Sequence, residues 1–352
     1  MKGKIEKGEE EFSKDDKKHR LFYFAIPPNA FGETAMAIKE TCMQEEDAGW
    51  TRLVVEKPFG RDLASFEELH KTLAVFDEKM IYRIDHYLGK EMVQNLTVLR
   101  FSNIWFDQVL NRNNVKVSHC TVYSSCFFVT IASTLKFTLT RSFTTCAPLK
   151  CVILTFKEPF TTQGRGGYFD KYGIIRDILQ NHLLQVLTLL TMETPVAVEG
   201  NGSGKAIRDA KVAVLNAMSE ISLEDVVLGQ YEGYTDDETI ENKDSNTPTF
   251  AVVRLNINNP RWAGVPIILK AGKALNERKA EMRIQFHDAP AGDFLFDGKN
   301  CPRNELVMRM QPKEAIWMKT NVKSPGFCAE PVQSELEVNY NTRFFAHTRY
   351  VH

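Results

Sequence analysis

The chain reads as an α/β segment followed by a larger α+β segment, and three patterns carry that expectation. Between residues 21 and 82, apolar strand-like runs alternate with amphipathic helical runs, the arrangement of a doubly wound parallel sheet. From about residue 248 short alternating runs succeed one another across polar turns, which argues a mostly antiparallel sheet. Helical periodicity at 174–192 and 205–220 supplies helices to pack on one face of that second sheet.

In chain order, residues 1–20 (MKGKIEKGEEEFSKDDKKHR) form a charged, glycine-poor N-terminal extension. Residues 21–90 hold the strand RLFYFAIPP (with Arg20 at its start), a helix near Glu33 to Glu46, the strand RLVVEKP and a helix from Ala64 to Phe76. Together these make a partial Rossmann-like, dinucleotide-binding domain. Residues 91–352 form the α+β domain, whose strands are TFAVVRLNI, VPIILK, EMRIQFH, NELVMRMQP, AIWMKTNVK and SELEVNY. The acidic stretch GYTDDETIENKDSNTPT at 233–249 reads as a loop or a mobile excursion.

Residues 116–150 interrupt this order. They contain no Asp or Glu and hold three of the seven cysteines, so they read as inserted material, a retained or mistranslated non-coding stretch. A membrane anchor is the rival reading and fails, because the apolar run from Phe127 to Leu135 is far short of the ~20 residues a span needs.

Composition bounds the function. With 352 residues, 43% of them hydrophobic, the chain can bury a sizeable core, and a net charge of -1 offers no basic excess for nucleic acid. The N-terminus shows charge without the apolar stretch of a signal peptide. An odd number of cysteines without paired metal spacing suits a reducing cytoplasm, and no metal site is expected. GNGSGK at 200–205 lacks the phosphate-loop spacing and has Ala206 where Ser or Thr would bind a metal ion, so it reads as a turn before a helix.

The chemistry concentrates in four short stretches: VVEKPFGRD (54–62), RIDHYLGK (83–90), GIIRDILQNH (173–182) and IILKAGKALNERK (267–279). Several lysines at strand ends suit a phosphorylated or carboxylated metabolite, and the histidines make proton or hydride transfer available near neutral pH. Taken singly, each has a plainer reading. His182 on an amphipathic helix is more often a core or surface residue, Asp85-His86 a helix cap, and Lys90-Glu91 a solvated face.

The ordered set of EKPFGRDL, YRIDHYLGKEMVQNL, CVILTFKEPF, GRGGYFDKYGIIRDILQNHLLQ and GKALNERKAE resembles the glucose-6-phosphate dehydrogenase family, over about residues 19–115 and 151–343. The resemblance implies oxidation of glucose 6-phosphate to 6-phosphogluconolactone with hydride transfer to NADP, in the cytoplasmic pentose phosphate pathway. His182 matches the general base, and Asp85 matches the acid that orients it. Asp177 is closer in sequence, but five residues along an α-helix turn through about 140°, which points Asp177 and His182 apart and agrees with Asp85 as the partner. His86, Tyr87, Lys90 and Lys273 match the phosphate-binding positions. Lys57, Glu158 and Asp177 match those that hold the sugar hydroxyls, and Arg278 completes the substrate-binding set. Ala25, Pro27 and Lys57 match the side facing the nicotinamide. Lys270, Lys279 and Arg283 match positions that help bind a second, structural NADP. The resemblance also implies a homodimer or higher oligomer, with residues 91–352 serving substrate binding and dimerisation.

Two departures from the family accompany these matches. No glycine-rich strand-to-helix turn opens the coenzyme domain, so its first half is expected to be missing. The chain also ends in FAHTRYVH where the family continues, and the structural NADP is therefore expected to bind weakly. The alternative implied function is a catalytically incompetent family member that at most binds sugar phosphate or pairs with complete subunits.

Overall fold

The computed structural model describes residues 2–12, 18–45, 48–115, 151–196, 203–296, 301–327 and 330–344. The sequence-predicted insert at 116–150 and the glycine cluster at 200–202 lie outside them. The chain divides into two compact units, Met1–His86 and Tyr87–His352.

The first unit contains α1 (Lys2–Phe12), β1 (Arg20–Phe24), α2 (Phe31–Thr41), β2 (Thr51–Glu56), α3 (Leu63–Leu73) and β3 (Ile81–Ile84). Its three strands form a parallel sheet in the order β1-β2-β3, with Phe22 opposite Leu53 and Val55 opposite Arg83. Alternation fixes the buried face. Thr51, Leu53 and Val55 point into a core shared with Phe31, Ala35, Ile38 and Leu73. α3 starts at a capping box in which Asp62 accepts from the Ser65 backbone N–H and the Ser65 hydroxyl accepts from that of Asp62.

Within residues 1–20, Lys2–Phe12 are helical, and Glu9 pairs with the buried Arg20 at 2.7 Å. The helix foreseen from Glu33 to Glu46 stops at Thr41. Cys42 turns into the core, and the Gln44 backbone N–H donates to the Thr51 hydroxyl, committing the chain to the second strand. β3 was not foreseen, because its four residues are too short for a clear two-residue alternation.

The second unit contains α4 (Glu91–Ser102), α5 (Phe106–Val109), β4 (Val152–Lys157), α6 (Gly166–Ile174), a π-helical segment (Ile175–Leu183), α7 (Leu184–Thr191), α8 (Ser203–Asn216), β5 (Val226–Gly229), β6 (Phe250–Leu255), β7 (Ile267–Gly272), β8 (Lys279–Gln285), β9 (Glu305–Gln311), β10 (Ala315–Lys323) and β11 (Pro331–Asn339). Eight strands form one sheet in the order β11-β10-β9-β8-β4-β7-β6-β5. Every pairing is antiparallel except β4 with β7. β4 enters between β7 and β8, which are neighbours in sequence.

One face of this sheet carries the main core. Leu154, Phe156, Val253, Leu269 and Met282 meet Ile178, Leu179, Leu187 and Val214 from the helices there. The stretch at 233–249 is irregular, as foreseen, but it is tied down. Tyr234 and Ile240 are buried, and the Tyr234 hydroxyl and the Ser245 hydroxyl both donate to Asp170 of α6.

Candidate active site

Strand polarity explains where the polar residues of the second unit collect. Because β4 and β7 run parallel with Lys157 opposite Gly272, the residues that follow each strand emerge side by side. These are Glu158 and Lys273. The Lys273 ammonium donates to a Glu158 carboxylate oxygen at 2.6 Å, both side chains being less than a quarter exposed. Backbone bonds lock the corner, from Glu158 N–H to the Gly272 carbonyl and from Lys273 N–H to the Thr249 carbonyl. The C-terminal end of parallel strands is where open α/β sheets present ligands.

Tyr87 links this corner to the helices. Its buried ring lies 6.1 Å from Phe156 of β4 and stacks on the His182 imidazole at 4.3 Å, with 21° between the planes. Lys90 sits over the same tyrosine, its ammonium 5.1 Å from the ring centroid and donating to the Gln311 side-chain oxygen at 2.8 Å. Burial pushes the Lys90 ammonium below the usual lysine range; Glu314 opposes that shift and Arg278 adds to it. Four residues matched by sequence, Tyr87, Lys90, His182 and Arg278, therefore act on one another directly or electrostatically.

His182 is 2% exposed and sits in the π-helical segment with Asp177. Because this segment is π-helical and not α-helical, the two side chains are not turned apart by the ~140° expected from the sequence. Bonds from residue i to i+5, such as Leu184 N–H to the Leu179 carbonyl, wind the chain more slowly than an α-helix and bring residues five apart near one another around the axis. Asp177 and His182 therefore share a face. The segment begins after Gly173, whose φ of 63° and ψ of 172° break the helix, and Ile174 N–H turns to the Pro248 carbonyl. Nothing in the sequence pattern signals this register. Beside Asp177 stands Tyr168, whose hydroxyl is pushed up to about 12 by burial first and by the Asp177 charge second.

In the first unit, Ala25 and Pro27 follow β1, Lys57 follows β2, and Asp85 and His86 follow β3. All five leave the same end of a parallel sheet, the end that receives ligands in this architecture. Sequence reading missed Gln311 and Glu314 as neighbours of Lys90. They come from a distant strand end, and only the β9 to β10 turn delivers them.

Lys270, Lys279 and Arg283 lie on the sheet face away from the main helices. Lys157 stands directly opposite Lys279, and the Lys270 ammonium is lowered to about 8 by burial and then by Lys157 and Lys279. Lys279 and Arg283 both pair with the buried Glu281, at 3.3 and 3.1 Å, and Arg283 also pairs with Glu305 at 2.6 Å.

A parallel-stranded α/β unit with polar strand ends is thus followed by a mostly antiparallel α+β unit that presents a buried histidine stacked on a tyrosine beside a lysine, a two-unit α/β and α+β architecture. The family model described as "Glucose-6-phosphate dehydrogenase, C-terminal domain" matches residues 142–351, and "Glucose-6-phosphate dehydrogenase, NAD binding domain" matches residues 1–95. The chain belongs to the glucose-6-phosphate dehydrogenase family.

The cytoplasmic isoform of glucose-6-phosphate 1-dehydrogenase from Solanum tuberosum is 51% identical over 341 residues, covering 96% of this chain and 59% of the relative. The Drosophila melanogaster enzyme is 48% identical, covering 94% and 57%. A glucose-6-phosphate dehydrogenase solved in complex with its substrate glucose-6-phosphate superposes with a TM-score of 0.80 at 44% identity, covering 99% of this chain and 64% of that one. The Mycobacterium avium glucose-6-phosphate 1-dehydrogenase gives 0.74 at 31% identity, covering 96% and 64%. The chain thus spans somewhat less than two thirds of the proteins it matches. Among the described residues, no helix is long and apolar enough to cross a membrane.

Proposed function

We propose that the chain serves the family's reaction, oxidising the C1 hydroxyl of glucose 6-phosphate to 6-phosphogluconolactone with NADP as acceptor. The observation that carries this reading is the buried His182 imidazole, stacked on Tyr87 beside the Lys90 ammonium. His182 accepts the proton of the C1 hydroxyl as the C1 hydrogen departs with its electron pair, leaving a carbonyl at C1 and a proton on the ring. Asp85, two residues before Tyr87 in sequence, is proposed to orient that ring and balance its charge.

His86, Tyr87, Lys90, Lys273 and Arg278 are the proposed phosphate group of the site. Lys57, Glu158 and Asp177 are the proposed partners of the sugar hydroxyls. The Lys273–Glu158 pair gives the two sets a common switch. A phosphate dianion competes for the Lys273 ammonium and releases Glu158 to accept from a hydroxyl, so binding the remote phosphate helps orient the reacting end.

NADP would supply a two-electron acceptor. Ala25, Pro27 and Lys57, at adjacent parallel strand ends, fit its nicotinamide end. Lys270, Lys279 and Arg283 are the proposed contacts of a structural NADP. Lys279 and Arg283 are already paired with Glu281, and Arg283 also with Glu305, so an anion must compete for those two. Subunit pairing and a cytoplasmic setting follow as proposals from the same family reading, the latter supported by the names of the plant relatives.

A second reading is sugar-phosphate binding without turnover. Incubating the purified chain with glucose 6-phosphate and NADP separates the readings. Reduced NADP that accumulates with the wild type and not with His182→Asn supports the dehydrogenase. Binding of the sugar phosphate without turnover supports the second reading, and failure of both contradicts each.

A further inference from the structure

Ten residues beyond Lys90, near the far end of α4, Arg100 is 1% exposed and makes four hydrogen bonds inside the fold. Its guanidinium donates to the Leu189 carbonyl and the Met192 carbonyl, both at 2.7 Å, and to the Asp107 carboxylate at 2.6 and 3.1 Å. Leu189 and Met192 lie at the C-terminal end of α7, where the last carbonyls of a helix lack partners within it. The buried Trp262 indole closes the set by donating to the Thr191 carbonyl at 3.0 Å. Asp107 is held in turn by Arg261 at 3.3 Å, and Arg261 also pairs with Glu193.

A buried cation needs full compensation, and a helix C-terminus, with its partial negative charge, supplies part of it. The geometry therefore gives Arg100 a task beyond local stability. α4 carries Lys90 at its N-cap and Arg100 near its C-terminus. α7 continues the π-helical segment that carries His182, and its C-terminus is the end that Arg100 holds. At the opposite ends of the same two helices, Tyr87 stacks on His182 and Lys90 lies over Tyr87. The helices form a frame joined at both ends, with the candidate site at one end and the Arg100 brace ~15 Å away along α4.

We propose that Arg100, assisted by Asp107 and Trp262, is a positioning residue that fixes the register of the His182 helix against the Lys90 helix. This rests on the reading of His182 and Lys90 as parts of the sugar-phosphate site. Lysine cannot reproduce the role, since one ammonium cannot span two carbonyls and a carboxylate in the planar fork that Arg presents. A small slip at the brace becomes a change in the separation of base and phosphate cation at the other end, where positioning is stringent.

The test uses the purified full chain as wild type, Arg100→Lys and Trp262→Phe. It measures glucose 6-phosphate affinity by calorimetry, thermal unfolding, and the pH titration of the His182 imidazole by NMR. The proposal expects Arg100→Lys to weaken glucose 6-phosphate five- to tenfold and to displace the His182 titration midpoint even at temperatures where the variant is fully folded. Trp262→Phe should give a smaller change of the same kind. Affinity and His182 titration unchanged in the folded variants, with only the unfolding temperature lowered, would overturn it. If Arg100→Lys does not fold, Trp262→Phe decides by the same two readouts. Should the wild type bind no glucose 6-phosphate, the functional reading fails, and the His182 titration still tests the brace, since it needs no sugar.

Discussion

The Tyr87 ring lies 4.3 Å from the His182 imidazole with 21° between the planes, so the candidate base rests on a flat aromatic surface. Both residues are 2% exposed. An imidazole held this way is covered on that face, which restricts where a hydroxyl can approach it.

That arrangement predicts a clean separation of roles. His182→Asn keeps a planar side chain against Tyr87 but removes a group able to take a proton near neutral pH. Turnover should fall by at least two orders of magnitude, the usual contribution of a general base, while glucose 6-phosphate binding stays within a few-fold. Kinetics and calorimetry on the same preparation check this. Loss of binding in parallel with turnover would make His182 a structural residue.

Tyr87→Ala should be costly in a different way. Removing a buried aromatic side chain typically destabilises a core by about 3–5 kcal/mol, and the packing against Phe156 and His182 would be lost together. Denaturant unfolding should show that loss, and Tyr87→Phe should restore most of the stability while isolating whatever the hydroxyl contributes to phosphate binding.

Gly173 is the hinge at which the π-helical segment begins, with φ of 63° and ψ of 172° and the Thr247 Cγ2 atom 3.2 Å from where a Cβ would stand. Gly173→Ala should cost roughly 1–3 kcal/mol in unfolding free energy, because an L side chain rarely takes that conformation. Since the segment also sets the shared face of Asp177 and His182, sugar-phosphate affinity should fall as well. Thermal unfolding and calorimetry report the two effects separately.

The sheet face that carries Lys270 makes a pH prediction. Burial and the charges of Lys157 and Lys279 lower the Lys270 ammonium to about 8, below its usual 10.5. The unfolded chain therefore binds more protons than the folded one between those values, and stability should rise as pH is raised from about 8 to 10.5. Lys270→Met should flatten that rise and stabilise the protein near neutral pH by an amount on the order of 2 kcal/mol, after allowance for partial exposure. Urea unfolding across that pH range provides the check. A polyanion bound to this face should also flatten the rise, by favouring the charged lysine.

Much of the architecture was legible in the sequence. Alternation in EMRIQFH placed β8, because burial mainly on one face imposes a two-residue period, whereas TFAVVRLNI, β1 and β2 stood out by their apolar runs, β6 being buried on both faces. The order of strands in space was not legible. Nothing local shows that Val152–Lys157 enters between β7 and β8, yet that insertion makes the parallel pairing of the eight-stranded sheet and so brings Glu158 to Lys273. Lys90, Tyr87 and His182 could be named from motifs, whereas the π-helical register, the Gln311 contact and the Arg100 brace arise from tertiary packing and leave no periodic signature. The relation of Asp177 to His182 was misjudged because ordinary helical geometry was assumed between them.

The most direct test of the account is the binding of glucose 6-phosphate to the purified chain, followed by titration calorimetry and by the NMR signals of the His182 ring. The account predicts saturable binding that perturbs those signals, weakens about tenfold or more in Lys90→Gln and in Lys273→Ala, and is far weaker for glucose lacking the phosphate. No saturable binding, or binding that ignores both lysines and leaves the His182 signals unmoved, would contradict it.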